Sequence, residues 1–236
     1  MKKKIYTVEK VLIFDSGPLI SFSLSGLLNL IKKLKEKFKG KFLITRDVQN
    51  EVIEVPLRIK KFELEALKIK QLLEEKIIEI PLSMNLSDSE INKKTEEVLN
   101  TANSVFATNG FDIKIIERGE ASSIALGLIL NEKKIKNLIV IDERTARILI
   151  EDPENLKEFL EKKLHKKVNI KKEKLDLFKN LRIVRSSELV YIAYKKNLVE
   201  IRDNRLLDAL LYAVKFRGVS ISEDEIEEIK KLSNQR

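Results

Sequence analysis

Two short apolar runs in this chain end directly in an aspartate: Val11-Leu12-Ile13-Phe14 before Asp15, and Leu138-Ile139-Val140-Ile141 before Asp142. Neither run alternates with polar residues, so each reads as a strand buried on both faces. Phe42-Leu43-Ile44-Thr45 is a second strand in chain order, and Arg182-Ile183-Val184-Arg185 is the last candidate. Between the runs lie stretches at helical spacing, such as Leu19, Ile20, Leu27, Leu28, Leu30, Ile31 and Leu34 after a turn at Ser16-Gly17-Pro18. Alternation of this kind predicts an α/β chain with a parallel central sheet flanked by helices. Composition agrees, because 7 Gly and 4 Pro among 236 residues suit long helices and short connections better than an all-β sandwich.

Residues 47–55 read as a helix start interrupted by Pro56, and 57–76 are strongly helical. Ile77-Ile78-Glu79-Ile80 is a third strand candidate closed by Pro81. Residues 86–90 supply caps for a helix through about Ala107, and Asn109-Gly110 marks a turn. Residues 119–128, rich in small side chains, predict a helix that packs closely on a sheet; Arg144 opens another, and further helices are expected near 186–196, 204–217 and 222–233. The chain, 1–236, therefore reads as a single domain with helical excursions at about 85–114 and 151–180 and a helical C-terminal part at 186–236.

The absence of Cys removes disulfides, thiolate-held metals and thiol nucleophiles, and the lone His165 leaves no histidine triad or histidine cage. Any metal must be held by oxygen. The net charge of +9 is unevenly placed: residues 1–60 carry 13 Lys and Arg against 6 Asp and Glu, and 181–220 carry 8 against 4. An anionic partner is expected, nucleic acid being the commonest. Charged residues make up 35% of the chain, a level that resembles a thermophile's surface. Residues 17–31 are apolar but stop at Lys32, too short to span a bilayer, so a cytoplasmic protein with no membrane partner is expected.

Asp15 and Asp142 each follow a strand, at the end of the sheet where open α/β folds gather reactive groups. Glu51 lies on the helix after the second strand, and Glu120 lies in the first turn of its own helix, where the dipole favours the ionised form. Carboxylates without His or Cys are the donor set for Mg²⁺ or Mn²⁺, which position water and neutralise a phosphoryl group. Each acid alone also suits a helix cap. Successive strand side chains point to opposite faces, so of the adjacent pair Asp142 is the better ligand candidate, with Glu143 beginning a helix.

These residues carry a resemblance. IFDSGPLI at 13–20, TRDVQNEV at 45–52, RGEASSIALGL at 118–128 and LIVIDERTAR at 138–147 resemble the four acidic motifs of PIN-domain proteins, most closely an archaeal and bacterial branch related to the VapC toxins. The stretch 206–222 is similar to that branch's tail, less specifically. The resemblance implies a Rossmann-like PIN fold and a Mg²⁺- or Mn²⁺-dependent endoribonuclease that hydrolyses RNA phosphodiester bonds. By it, Asp15, Glu51, Glu120 and Asp142 are the catalytic metal ligands. Arg46, Arg118, Arg144 and Arg147 are then the candidates to hold flanking RNA phosphates. It also brings in an antitoxin or other protein partner, and a homodimer, as candidate assemblies. The chain departs from the family at Gly17, where a polar Ser or Asn is frequent, and in its two excursions. The alternative reading is a non-catalytic PIN-like module that binds RNA or a protein. Phosphotransfer through aspartate fits less well, because Asp15-Ser16-Gly17 lacks the second acid of an Asp-x-Asp motif.

Overall fold

The computed structural model describes residues 10–234. β1 (Lys10–Phe14) leads through α1 (Ser16–Leu24) and α2 (Leu28–Lys37) to β2 (Lys41–Leu43). Then come α3 (Arg46–Gln49), a π-helical turn (Asn50–Glu54), a 3-10 turn (Pro56–Arg58) and α4 (Glu63–Glu74). α5 (Asp88–Ala102), β3 (Phe106–Thr108), β4 (Phe111–Asp112), α6 (Arg118–Glu132) and β5 (Lys136–Val140) follow. After these come α7 (Arg144–Glu151), α8 (Pro153–Leu164), β6 (Asn169–Ile170), a 3-10 segment (Lys172–Phe178) and β7 (Ile183–Val184). α9 (Ser186–Lys195), α10 (Leu206–Lys215) and α11 (Glu223–Asn234) close the chain.

Four strands form a parallel sheet in the order β2-β1-β5-β7, flanked by helices. Along β1, Leu12 and Phe14 pack into one apolar cluster with Leu34, Phe42, Val190 and Leu211. Val11 and Ile13 enter a second cluster with Ile124, Leu128 and Leu149. Coverage on both faces is why this strand carries no polar alternation. On the second face α6 lies close to β5, and a Cβ at Gly127 would stand 2.7 Å from Ile139 Cδ1. The connection from β1 moves outward to β2, while that from β5 moves the opposite way to β7. The topological switch point therefore lies between β1 and β5, the place where ligands of open α/β sheets collect.

Several local expectations are corrected. The helix after Asp15 begins at once, at Ser16, and is two helices, split where Gly26 takes a φ of 70° that a residue with a Cβ avoids. The candidate strand 77–80 contributes a single parallel bridge, Glu79 to Leu43, with Glu79 N–H donating to Phe42 O at 2.8 Å before Pro81 ends the pairing. The helix expected through Ala107 stops at Ala102. There Asn103 takes over: its Oδ1 accepts from the N–H groups of Ile115 and Ile116 at 2.6 and 2.9 Å.

The excursions at 85–114 and 151–180 are not purely helical. β3 turns into β4 through Asn109 (φ 52°) and Gly110 (φ 83°), the two left-handed positions of a type I′ hairpin. β3 also pairs antiparallel with β6, so the two excursions meet in a small sheet of order β4-β3-β6. Among the described residues no helix is long and apolar enough to cross a membrane.

Candidate acidic site at the sheet switch point

Asp15 leaves the end of β1 with its backbone N–H donating to Val140 O at 3.0 Å, so the ends of β1 and β5 are stitched together at the switch point. A Cβ placed on Gly17 would lie 3.8 Å from Asp142 Cβ and 3.9 Å from Asp15 Oδ2. The two strand-end aspartates thus flank the first turn of α1. Both are buried, at 2% and 3% exposure, where an unpaired charge is costly.

Glu51 arrives on the π-helical turn. In that turn Val55 N–H reaches back five residues to Asn50 O at 3.0 Å, a wide coil that often marks functional sites. Glu51 keeps much of its surface open to solvent, yet its carboxylate presses on the start of α6: a Cβ at Gly119 would stand 2.5 and 2.6 Å from its two oxygens. Only glycine leaves that space. Glu120, the next residue, accepts the Glu117 N–H at 3.0 Å and so caps its own helix.

Two hydroxyls hold this corner. Thr45 Oγ1 caps α3 by accepting from Val48 N at 3.2 Å, and it lies 2.6 Å from Ser122 Oγ. Ser122 Oγ donates to Gly119 O at 2.8 Å, which leaves Thr45 as donor to Ser122. The start of α3, just ahead of the π-helical turn that carries Glu51, and the start of α6, which carries Glu120, are thereby tied through buried groups. Asp142 is held from a third side. Its Oδ1 accepts the Ser186 backbone N–H at 2.8 Å and its Oδ2 the Ser186 hydroxyl at 2.7 Å. Ser186 is set by Arg185, which bonds Glu188 in α9, Glu225 in α11 at 2.7 Å and Ser220 O at 3.0 Å.

The carboxyls resist ionisation. Burial raises Asp15 well above the ordinary aspartate range and the charges of Glu120 and Glu51 add to it, with the N–H groups of Ser16 and Gly17 opposing. Glu51 is raised by loss of solvent and by Glu120, Asp47 and Glu117, while the Ser16 hydroxyl pulls it down. Glu120 is raised by burial and by the charges of Glu143 and Glu117. Burial pushes Asp142 up to about 6 despite the two bonds from Ser186.

Asp15, Glu51 and Glu120 therefore lie within electrostatic reach of one another, with Asp142 across Gly17. They do not form a finished cage: among the described residues no three His, Asp or Glu side chains converge as a metal-holding group. Without a bound ion the four acids expected at one cation stand in a looser arrangement, in which Glu120 caps its helix and Asp142 accepts from Ser186. The donors nonetheless suit a hard divalent cation. All are carboxylate oxygens, and buried Asp15 Oδ1 has no hydrogen-bond partner among the described residues.

The four arginines expected to face RNA are mostly engaged within the chain. Arg46 bonds Asp88 at 3.3 Å and Gln49 at 2.9 Å; Arg118 bonds Asp47 at 2.8 Å and also Glu96; Arg147 bonds Glu151 at 3.1 Å. Exposed Arg144 stacks over Phe159, 4.5 Å from the ring centroid. Glu143, by contrast with Asp142, is exposed and caps α7, accepting from Ala146 N–H at 2.7 Å and from the Thr145 hydroxyl at 2.6 Å.

Sequence reasoning missed Thr45, Ser122 and Ser186. Only Thr45 carries a local signal, a hydroxyl at the end of a strand and just ahead of a helix. Compared with known proteins, the chain matches no family model, no curated protein and no solved structure.

Proposed function

We propose that this chain is a PIN-like, Mg²⁺- or Mn²⁺-dependent endoribonuclease. One observation carries the reading: three acids from three separate elements, Asp15, Glu51 and Glu120, meet at the switch point of a parallel sheet, with Asp142 beside them. Such crowding raises the cost of each negative charge, and a bound cation is the usual compensation. Asp15, with its unpartnered oxygen, and Glu51 would hold the cation, joined by Glu120 and Asp142. When bound, the cation supplies an activated water and neutralises charge on the phosphodiester.

The chain's own groups define the rest. The Ser186 clamp fixes Asp142 against rotation, the Thr45–Ser122 link fixes the approach of the two helix starts, and Gly119 leaves room for Glu51. Arg144, stacked on Phe159 with no ion pair among the described residues, has its guanidinium edge available to an RNA phosphate.

The binding-module alternative keeps one specific point in its favour: Arg46, Arg118 and Arg147 are bonded to the protein's own carboxylates and glutamine, as befits a surface that need not grip a reacting phosphate. Exposed ion pairs are weak enough to exchange partners, so this does not outweigh the acid cluster. Incubation of single-stranded and structured RNA with purified protein, in Mn²⁺ or in EDTA, separates the two. Mn²⁺-dependent fragments support the nuclease; binding without fragments in either condition supports the module.

A further inference from the structure

At the opposite pole of the sheet, where β5 and β7 begin, lies a surface crevice of about 430 Å³. Lys134, Lys136 and Arg182 line it with Asn131, Asn137 and Asn180, and among the described residues no carboxylate does. Of the acids near these residues in sequence, Glu132 is used by Lys94 and Asp176 by Lys179. Lys136 also has Lys10 as its register partner on the adjacent parallel strand. Like charges side by side in a sheet repel and cost stability unless an anion offsets them.

The floor is built rather than loose. Buried Asn137 donates through Nδ2 to Asn131 Oδ1 at 2.8 Å, Ile135 O at 3.1 Å and Gly127 O at 3.3 Å. Asn131 in turn donates to Asn180 O at 3.2 Å. These bonds tie the end of α6, the start of β5 and the loop before β7, and so fix the backbones from which the three cations project. Three cationic residues lining one braced crevice, in a chain that pairs most of the arginines around its acidic site, suit an oxyanion.

We propose that this crevice binds phosphate groups, through charge-assisted bonds from Lys134, Lys136 and Arg182. The bound phosphate belongs either to a polynucleotide backbone or to a free phosphorylated small molecule. The site is distinct from the acidic one, since the six residues from Lys136 to Asp142 span roughly 20 Å at strand rise. It stands whether or not the chain cleaves RNA.

The test uses the whole chain in EDTA, so that cleavage plays no part. Binding of a labelled single-stranded RNA is measured across a salt series, and uptake of inorganic pyrophosphate by calorimetry. The wild type is compared with a Lys134→Asn, Lys136→Gln, Arg182→Gln triple variant. Asparagine suits position 134, where φ is 58°. A control of equal charge change replaces exposed Lys162, Lys166 and Lys167 with Gln. The expected result is at least a tenfold loss of RNA affinity in the triple variant alone. Its salt slope should fall by roughly 2, about 0.7 for each phosphate contact removed. Pyrophosphate uptake lost in the triple variant identifies a free phosphate ligand; no uptake with the RNA effect intact identifies the polynucleotide. The proposal is overturned if the control variant loses as much as the triple, or if the wild type takes up neither ligand. With no divalent ion present, binding at the crevice is read separately from cleavage, so the result stands apart from the fate of the nuclease reading.

Discussion

Ser186 grips Asp142 with both of its donors, the backbone N–H on one carboxylate oxygen and the hydroxyl on the other. The bond joins the end of β5 to the start of α9, 44 residues apart, and buries both partners. Ser186→Ala removes the hydroxyl and leaves Asp142 Oδ2 without that donor in a dry site. A loss of about 1–3 kcal/mol in unfolding free energy is expected, with the Asp142 carboxyl driven further up from about 6. Urea denaturation of the variant measures the first effect; an unchanged midpoint would remove the clamp from this account.

The pH dependence of stability follows from the same burial. Asp15, Glu51, Glu120 and Asp142 all have folded-state values raised above those of the unfolded chain. Groups shifted in this direction hold protons more tightly when folded, so their stabilisation is complete below the unfolded value near pH 4 and is lost as pH rises through the folded value. For Asp142 that window ends at about 6, and Asp15, raised by burial and by Glu120 and Glu51, acts in the same direction. The metal-free protein should therefore melt at a lower temperature at pH 8 than at pH 5. Asp15→Asn should flatten the difference, and Mn²⁺ should restore the loss at pH 8. Thermal melts across this range in EDTA check it, and a melting temperature that climbs from pH 5 to 8 would speak against the crowded acids.

Gly119→Ala offers a way to move one acid without emptying the core. The new methyl would collide with the Glu51 carboxylate, the far end of a flexible side chain, which can swing away. Alanine is the better helix former by roughly 1 kcal/mol, so stability should hold or rise. Divalent-ion affinity should fall by an order of magnitude or more. Calorimetric titration with Mn²⁺ beside a thermal melt reads both; undiminished affinity would show that Glu51 does not serve the cation.

Asp142 and Glu143 are adjacent but differ in office. Asp142→Asn should reduce Mn²⁺-dependent cleavage by orders of magnitude. Glu143→Gln weakens the cap of α7, for a cost of about 0.5–2 kcal/mol, with a modest effect on rate. Kinetics on the two purified variants separates them, and equal, severe losses would mean that both acids act at the site.

Much of the frame was legible in the sequence because its signals are local. The run before Asp15 is apolar without interruption since both faces of β1 are covered, whereas in the run before Asp142 Leu138 is exposed; both acids stand where the runs stop. The small sheet joining β3 and β6 was not legible. Its strands are two and three residues long, and their pairing depends on segments about 60 residues apart. The π-helical turn under Glu51 left no periodic trace, since it differs from an α-helix by the reach of its hydrogen bonds. Nor can a sequence show that Asp47 and Glu96 will take up Arg118, because that pairing is decided by tertiary placement; only Arg147 and Glu151, four apart on α7, are a local pair.

The most direct measurement is the initial rate of RNA cleavage in Mn²⁺ by the wild type and by Asp15→Asn, prepared identically and shown by circular dichroism to be equally folded. The account predicts cleavage by the wild type that EDTA abolishes, and a loss of several orders of magnitude in the variant. Equal rates for the two proteins, or cleavage that persists in EDTA, would contradict it.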